Sequence, residues 1–175
     1  MKFMILSDNH GRWKTVDELL QHYRPQVDYI FHCGDSEFWP NDTVWEMVDA
    51  VVTGNNDYHP EYPAEAVVDT PVGKVYLTHG HYHGVYLTTD KVLESAKANG
   101  CRFAFHGHTH VAYAKVEDGV VLCNPGSLNY SRGRLSYRTF ALMTIEGSQV
   151  TVEFFDDQRR PIEPLNQVFN LEGSD

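Results

Sequence analysis

Apolar residues along the chain come in short runs, each breaking off into a polar, often glycine-containing stretch. The first run, Phe3–Leu6, ends at Ser7-Asp8-Asn9-His10-Gly11. A run of this length bounded by turn residues predicts a buried strand. Trp13, Val16, Leu19, Leu20 and Tyr23 then recur at helical spacing on one face, and Pro25 helps to stop that helix. The strand pattern returns with Val27–Phe31 entering His32-Cys33-Gly34-Asp35, and with Ala50–Val52 entering Thr53-Gly54-Asn55-Asn56-Asp57. Between these two, Thr43 to Val48 has a helical pattern with Thr43 as the expected N-cap.

A hairpin is predicted in the middle of the chain. Ala66–Asp69 and Lys74–Leu77 flank Pro71-Val72-Gly73, and the second strand ends in Thr78-His79-Gly80-His81. Asp90–Asn99 predicts a helix closed by Gly100. Cys101–Phe105 predicts a strand that enters His106-Gly107-His108-Thr109-His110. The remainder is β-rich, with Val111–Val116 and Val120–Leu122 around Asp118-Gly119, then Thr139–Ile145 and Val150–Phe155 around Glu146-Gly147. Strands alternate with helices early and form hairpins late. That order predicts an α/β fold of two packed mixed sheets with helices outside. No repeat, low-complexity tract or linker interrupts it, so a single domain over residues 1–175 is expected.

Composition narrows the function classes. With 42% apolar and 22% charged residues, the chain is globular rather than disordered. Its 14 basic and 24 acidic residues give a formal charge of −10, which disfavours a nucleic-acid polymer or an anionic membrane surface as partner. A small anionic substrate stays compatible if bound metal offsets the charge locally. The three cysteines, Cys33, Cys101 and Cys123, lack CxxC spacing, so neither a disulfide framework nor a thiolate zinc site is expected. The start reaches Asp8 after too few apolar residues for a signal sequence, and no run approaches a membrane span. A cytoplasmic location is the expectation.

The chemistry lies at the strand ends. Asp8, His10, Asp35, Asn55, His79, His108 and His110 each fall just past a predicted strand. Ligands gather at the carboxyl ends of strands in open α/β sheets, so these loops can share one rim. Imidazole with carboxylate suits divalent Mn, Fe, Zn or Ni, and an amide oxygen can complete a shell. Gly34, Gly54, Gly80 and Gly107 adjoin these positions and permit tight turns. Taken singly, each site has a plainer explanation. Asp8 with Ser7 could cap the following helix, Gly54–Asp57 reads as a turn, and the histidine pairs as solvated or structural rings. Coincidence at five places is what argues for metal. His32 and His106 are expected to be packing residues, and Cys33 a small buried hydrophobe.

Asp8-Asn9-His10, Gly34-Asp35, Gly54-Asn55, His79-Gly80-His81 and Gly107-His108-Thr109-His110 occur in the order of the calcineurin-like metallophosphoesterases, which the chain resembles from about Met1 to Phe155. Its small size and Asn124-Pro125-Gly126-Ser127 are similar to the compact bacterial and archaeal phosphodiesterase branch, the YfcE-like group. The turn explains that tetrapeptide adequately, and no chemistry is assigned to it. The resemblance implies a four-layer sandwich, and two divalent metal ions with Mn expected ahead of Fe, Zn or Ni. One ion would be held by Asp8, His10, Asp35 and His110, the other by Asp35, Asn55, His79 and His108, with Asp35 bridging. Two such ions lower the pKa of a shared water and clamp the attacking and leaving oxygens. His81 and Asn56 are the candidate donors to the phosphoryl oxygens.

The substrate implied is a small phosphate ester, a diester ahead of a monoester; a homo-oligomer remains compatible. Relatives of this fold also serve as non-catalytic interaction subunits, as in the retromer component. Asn56 departs from the pattern, because many members place a general-acid His there and the compact branch often a Cys. An amide has no proton to give at neutral pH. His81 and His59 are the candidates to supply it instead. A diester also requires fewer cationic side chains than a dianionic monoester, and no Arg or Lys lies inside the five motifs, although Arg12 and Lys14 follow the first closely.

Overall fold

The computed structural model describes residues 1–171. Strand β1 (Lys2–Leu6) leads into helix α1 (Trp13–Tyr23), β2 (Tyr29–His32) and the short β3 (Ala50–Val51). The antiparallel pair β4 (Glu65–Val68) and β5 (Lys74–Thr78) precedes helix α2 (Asp90–Ala98) and β6 (Cys101–Phe105). The hairpins β7 (Tyr113–Glu117) with β8 (Val120–Asn124) and β9 (Thr139–Glu146) with β10 (Gln149–Asp156) follow, and β11 (Gln167–Asn170) comes last.

The strands form two sheets, ordered β11-β10-β9-β1-β2-β3 and β4-β5-β6-β8-β7. In the first sheet β1, β2 and β3 run parallel out to one edge, with β9, β10 and β11 antiparallel on the other side; in the second, β5, β6 and β8 form a parallel centre between antiparallel β4 and β7. Alternate side chains explain the layering. Phe3, Ile5, Phe31, Leu77, Phe103, Phe105, Cys123 and Met143 fill the space between the sheets, where Phe3 meets Phe31 and Phe103 edge-on at 5.4 and 5.6 Å. Met4, Leu6 and Ile30 point the other way, onto Val16, Leu19 and Leu20 of α1. Tyr76, Ala104 and Leu122 do the same for Val92 and Ala96 of α2. The result is two mixed sheets between two thin helical layers. Strands buried on both faces must be apolar at every position, which is why they read as continuous runs.

Local details differ from the sequence expectations. Thr43–Met47 is a 3₁₀ turn, and its cap is Asp42, whose carboxylate accepts from the Val44 N–H at 3.0 Å. Strand β7 starts at Tyr113, two residues later than the apolar pattern suggests. Strand β11 carries no apolar run and pairs along the edge beside β10. All three cysteines are free and buried. Among the described residues no helix is long and apolar enough to cross a membrane.

Candidate metal centre

The carboxyl ends of the parallel strands of both sheets open onto one rim. Asp8 and His10 follow β1, Asp35 follows β2, Asn55 follows β3, His79 follows β5, and His108 and His110 follow β6. The backbone there is unusual. Asp8, His10, Asp35, His108 and His110 all have positive φ, between 43 and 73°, a region non-glycine residues seldom occupy. Positive φ at five of seven candidate ligands marks a backbone bent to aim side chains, with tertiary contacts opposing the strain. Helix α1 has Arg12 at its N-cap and no side-chain cap, so Asp8 is not held there by capping.

The turns are packed against the carboxylates themselves. A Cβ on Gly54 would fall onto the Asp35 carboxylate, and one on Gly107 onto Ser7 Oγ and Asp8 Oδ2. Asp57 ties the second and third loops together by accepting from the backbone N–H groups of Asp35 (2.8 Å), Gly54 (2.7 Å) and Glu37 (2.9 Å). Ser127 Oγ donates to the Asp8 carbonyl at 2.8 Å, and Asn124 Nδ2 to the Gly107 carbonyl at 3.2 Å. The Asn124–Ser127 turn therefore braces the first and last candidate loops, a role not visible from its turn chemistry.

The donor atoms converge. Asp8 Oδ1 lies 3.1 Å from His110 Nε2 and 3.8 Å from Nε2 of both His10 and His79. Asp35 Oδ2 lies 3.3 Å from His79 Nε2 and 3.8 Å from His10 Nε2. Asn55 Oδ1 is 3.1 Å from His79 Nε2, and the Nε2 atoms of His10 and His110 are 3.2 Å apart. Asp8, His10 and His110 form one group able to hold an ion, and Asp8, Asp35 and His79 a second. Asp8 is thus common to both, while Asp35 also faces a histidine on each side. His108 stands further back and joins neither group; its ring centroid is 5.0 Å from that of His79, and its backbone N–H donates to Asp8 Oδ2 at 3.1 Å.

The imidazole tautomers show what this cluster fits. A carbonyl oxygen only accepts, so His79 Nδ1 donates to the Cys33 carbonyl (2.7 Å) and His110 Nδ1 to the Tyr130 carbonyl (3.1 Å). In the neutral rings each Nε2 is then a lone pair directed at carboxylate or amide oxygen. Only a proton or a cation relieves that arrangement, and backbone carbonyls orienting the remote nitrogen are the usual support of metal-binding imidazole.

Electrostatics agree. Burial alone would push His79 down, but Asp8, Asp35 and the Cys33 carbonyl outweigh it and hold its pKa at about 8. Burial would raise Asp8, yet His79 and His110 hold it below the usual carboxylate range. Asp35 is likewise held well below that range against its burial, by His79 and the two Asn56 donors. His108 is pushed down to about 4 by burial and by the neighbouring His79.

His32 and His106 take no part in the cluster. His32 Nε2 meets Asn9 Oδ1 at 2.7 Å and its Nδ1 accepts from the Gly34 N–H, while His106 Nε2 meets the Tyr113 hydroxyl at 2.7 Å. Both are fully enclosed, and burial lowers both to about 4. A pH prediction follows for metal-free protein. Below about pH 6.5 the unfolded chain protonates these two rings while the folded chain resists until about pH 4, so stability falls with acid by on the order of 3 kcal/mol per ring. His79 acts oppositely: its contribution is complete below about pH 6.5 and is lost as pH rises through 8. Urea denaturation after chelation should therefore show a maximum near pH 6.5, and added Mn²⁺ should abolish the alkaline decline. A monotonic profile from pH 5 to 8 would count against this account.

The remaining candidates are placed as follows. Asn56 donates through its backbone N–H to Asp35 Oδ1 (2.8 Å) and through Nδ2 to Asp35 Oδ2 (3.1 Å). The His81 ring sits beside those of His79 and His108, at 5.3 and 6.1 Å, and burial lowers its pKa. His59 packs on Trp39 at 4.4 Å. A cleft of about 310 Å³ stands over the cluster, lined by His10, Asp35, Asn55, Asn56, His108 and His110 together with Tyr86, Tyr130 and Arg132. Arg132, outside the five motifs, is a cation that the motif reading missed. Arg12 instead approaches Asp157 (3.8 Å), and Lys14 is exposed beside Glu18 (3.7 Å).

Comparison with known proteins fits this geometry. The calcineurin-like phosphoesterase superfamily domain matches residues 1–148. The probable metallophosphoesterase YsnB of Bacillus subtilis is 33% identical over 171 residues, covering 98% of this chain and all of that protein. A conserved uncharacterized protein of Streptococcus pneumoniae, a predicted phosphoesterase, superposes with a TM-score of 0.93 at 31% identity over 97% of both chains. The fold is shared more distantly, at 18% identity each, with the vacuolar sorting protein Vps29 of Cryptosporidium parvum (TM-score 0.77, 97% of both chains) and the E. coli phosphoesterase YfcE (TM-score 0.67, 98% and 100%). With most of its length matched, and with Asp and His side chains gathered at one rim, the chain belongs to the calcineurin-like phosphoesterase superfamily.

Proposed function

We propose that the chain is a binuclear metal-dependent phosphodiesterase of the cytoplasm, acting on a small phosphate ester. The observation that carries this reading is the pair of imidazoles, His79 and His110, pinned by backbone carbonyls so that Nε2 faces Asp8 and Asp35 at the floor of an open cleft. Asp8, His10, Asp35 and His110 would hold one ion, and Asp35, Asn55, His79 and His108 the other, with Mn²⁺ the first choice. Divalent metal supplies Lewis-acid activation of water and neutralises developing charge on the phosphoryl oxygens. Asn56 keeps the Asp35 carboxylate oriented through two hydrogen bonds. Arg132 at the lip adds a cation where phosphate oxygens would lie. The cleft volume suits a small ester rather than a polymer.

Elemental analysis of purified protein should find about two transition-metal ions per chain, with aryl phosphodiester hydrolysis in the same preparation. Because one cationic side chain serves the cleft, the diester is expected to exceed its matched monoester in kcat/KM by about tenfold, equivalent to about 1.4 kcal/mol. Equal or greater kcat/KM on the monoester would reverse the preference. Bound metal without turnover of either ester would return the chain to the non-catalytic interaction subunits of this fold.

A further inference from the structure

Beside the metal cleft lies a second pocket, of about 430 Å³, and the two share Tyr86 and Arg132 as a common wall. Its character is different. The buried Val85 and His106 and the half-buried Tyr113 lie deep, with Thr89, Thr109 and Val111 around them. His106 Nδ1 donates to the Gly107 carbonyl (3.0 Å), and its Nε2 pairs with the Tyr113 hydroxyl (2.7 Å). The polar atoms facing this space are paired, His106 Nε2 with the Tyr113 hydroxyl and Thr89 Oγ1 with Lys115 Nζ, which leaves Val85, Val111 and the aromatic rings as its surface. Arg132 is the exception, at the boundary.

That boundary is built. Both Tyr86 and Tyr130 hydroxyls accept from the Arg132 guanidinium, which lies 5.1 Å from the Tyr130 ring centroid. The Tyr86 ring packs on His108 at 4.8 Å and that of Tyr130 on His110 at 4.6 Å. The Arg132 backbone N–H is anchored on the His110 carbonyl at 3.0 Å. A guanidinium has five N–H donors and the two phenols take two, so it can still reach an anionic oxygen.

We propose that this pocket receives one ester arm of the substrate and that this arm carries a flat aromatic or heteroaromatic ring, with Arg132 holding a phosphoryl oxygen at the junction. The inference rests on the phosphoesterase reading of the adjoining cleft. The two spaces adjoin across Tyr86 and Arg132, within reach of one substrate whose phosphate lies in the cleft, and the aromatic lining selects a ring over an alkyl group. Hydrolysis itself is unchanged: water adds to phosphorus, and one ester oxygen leaves with a proton.

Two phosphonates that differ only in this arm, phenylphosphonate and methylphosphonate, test it on protein carrying Zn²⁺. Phenylphosphonate should inhibit diester hydrolysis at a concentration at least about tenfold lower, as expected for burying a ring. It should also shift the Val85 and Val111 methyl resonances, which methylphosphonate should leave in place. Thr89→Phe and, independently, Val111→Trp fill the pocket and should bring the two inhibition constants together. Arg132→Gln should weaken both phosphonates by about tenfold while keeping their ratio. Equal inhibition by the two phosphonates with unmoved Val85 resonances, in protein that hydrolyses diesters, would overturn the pocket assignment. Resonance shifts in protein that hydrolyses nothing would support the pocket and reject the enzymatic reading.

Discussion

Asp35→Asn is expected to lower both metal occupancy and kcat/KM more than any other single substitution, the latter by about 10³-fold or more. Asp35 Oδ2 lies 3.3 Å from His79 Nε2 and 3.8 Å from His10 Nε2, so it spans the two histidine groups. Both oxygens already accept from Asn56, through its backbone N–H and its side-chain amide. An asparagine there removes the negative charge and turns an N–H₂ toward donors on one side or toward imidazole on the other. The loss of several kcal/mol of Lewis-acid stabilisation corresponds to a factor of ten for each 1.36 kcal/mol. Elemental analysis of the variant beside wild type, with circular dichroism to establish folding, provides the measurement. Full metal content and near-wild-type turnover in Asp35→Asn would remove Asp35 from the bridging position.

Asp8→Asn makes an informative companion. Asp8 belongs to both clusters and is fully buried among His79, His110 and Ser7. Its replacement should reduce metal content as well, but with a larger loss of stability. Its Oδ2 also accepts the His108 N–H, so one change disturbs loops from both sheets.

The strands were legible because the central ones are covered on both faces and must be apolar throughout, as in Met4-Ile5-Leu6 and Val75-Tyr76-Leu77. Strand β11 was not, since Gln167-Val168-Phe169-Asn170 lies at an edge with three of its four residues exposed. The candidate ligands stood out as polar residues abruptly ending apolar runs, and parallel strands necessarily bring such ends to one side. Arg132 could not be found this way. It lies in a loop without periodicity, far along the chain from His110, and a backbone hydrogen bond to that residue places it at the cleft. Asp57 was hidden for another reason: Asn-Asn-Asp after glycine reads as a turn, and only in the folded chain does its carboxylate gather N–H groups from a neighbouring loop.

Turnover should depend steeply on the leaving group, because the residue following Asn55 is an amide rather than an acid. Asn56 lines the cleft with its Nδ2 committed to Asp35, so it supplies hydrogen bonding but no proton. The alternatives are poorly matched. His59 packs against Trp39, and His81, although beside His79 and His108, has its pKa lowered by burial, which weakens its hold on a proton. General acid catalysis is typically worth about 10²–10⁴-fold, and that is the expected additional penalty on alkoxide relative to phenolate leaving groups. Asn56→His should flatten the dependence by raising turnover on poor leaving groups more than on good ones. It should add an acid-requiring limb to the pH–rate profile near the imidazole pKa, about 6.5 before perturbation. Loss of the Asn56 side-chain bond to Asp35 offsets part of that gain on every substrate, so the slope against leaving-group pKa is the quantity to compare. A flat wild-type slope would mean that another acid operates. His81→Ala and His59→Ala would then identify it, through a loss confined to alkoxide substrates.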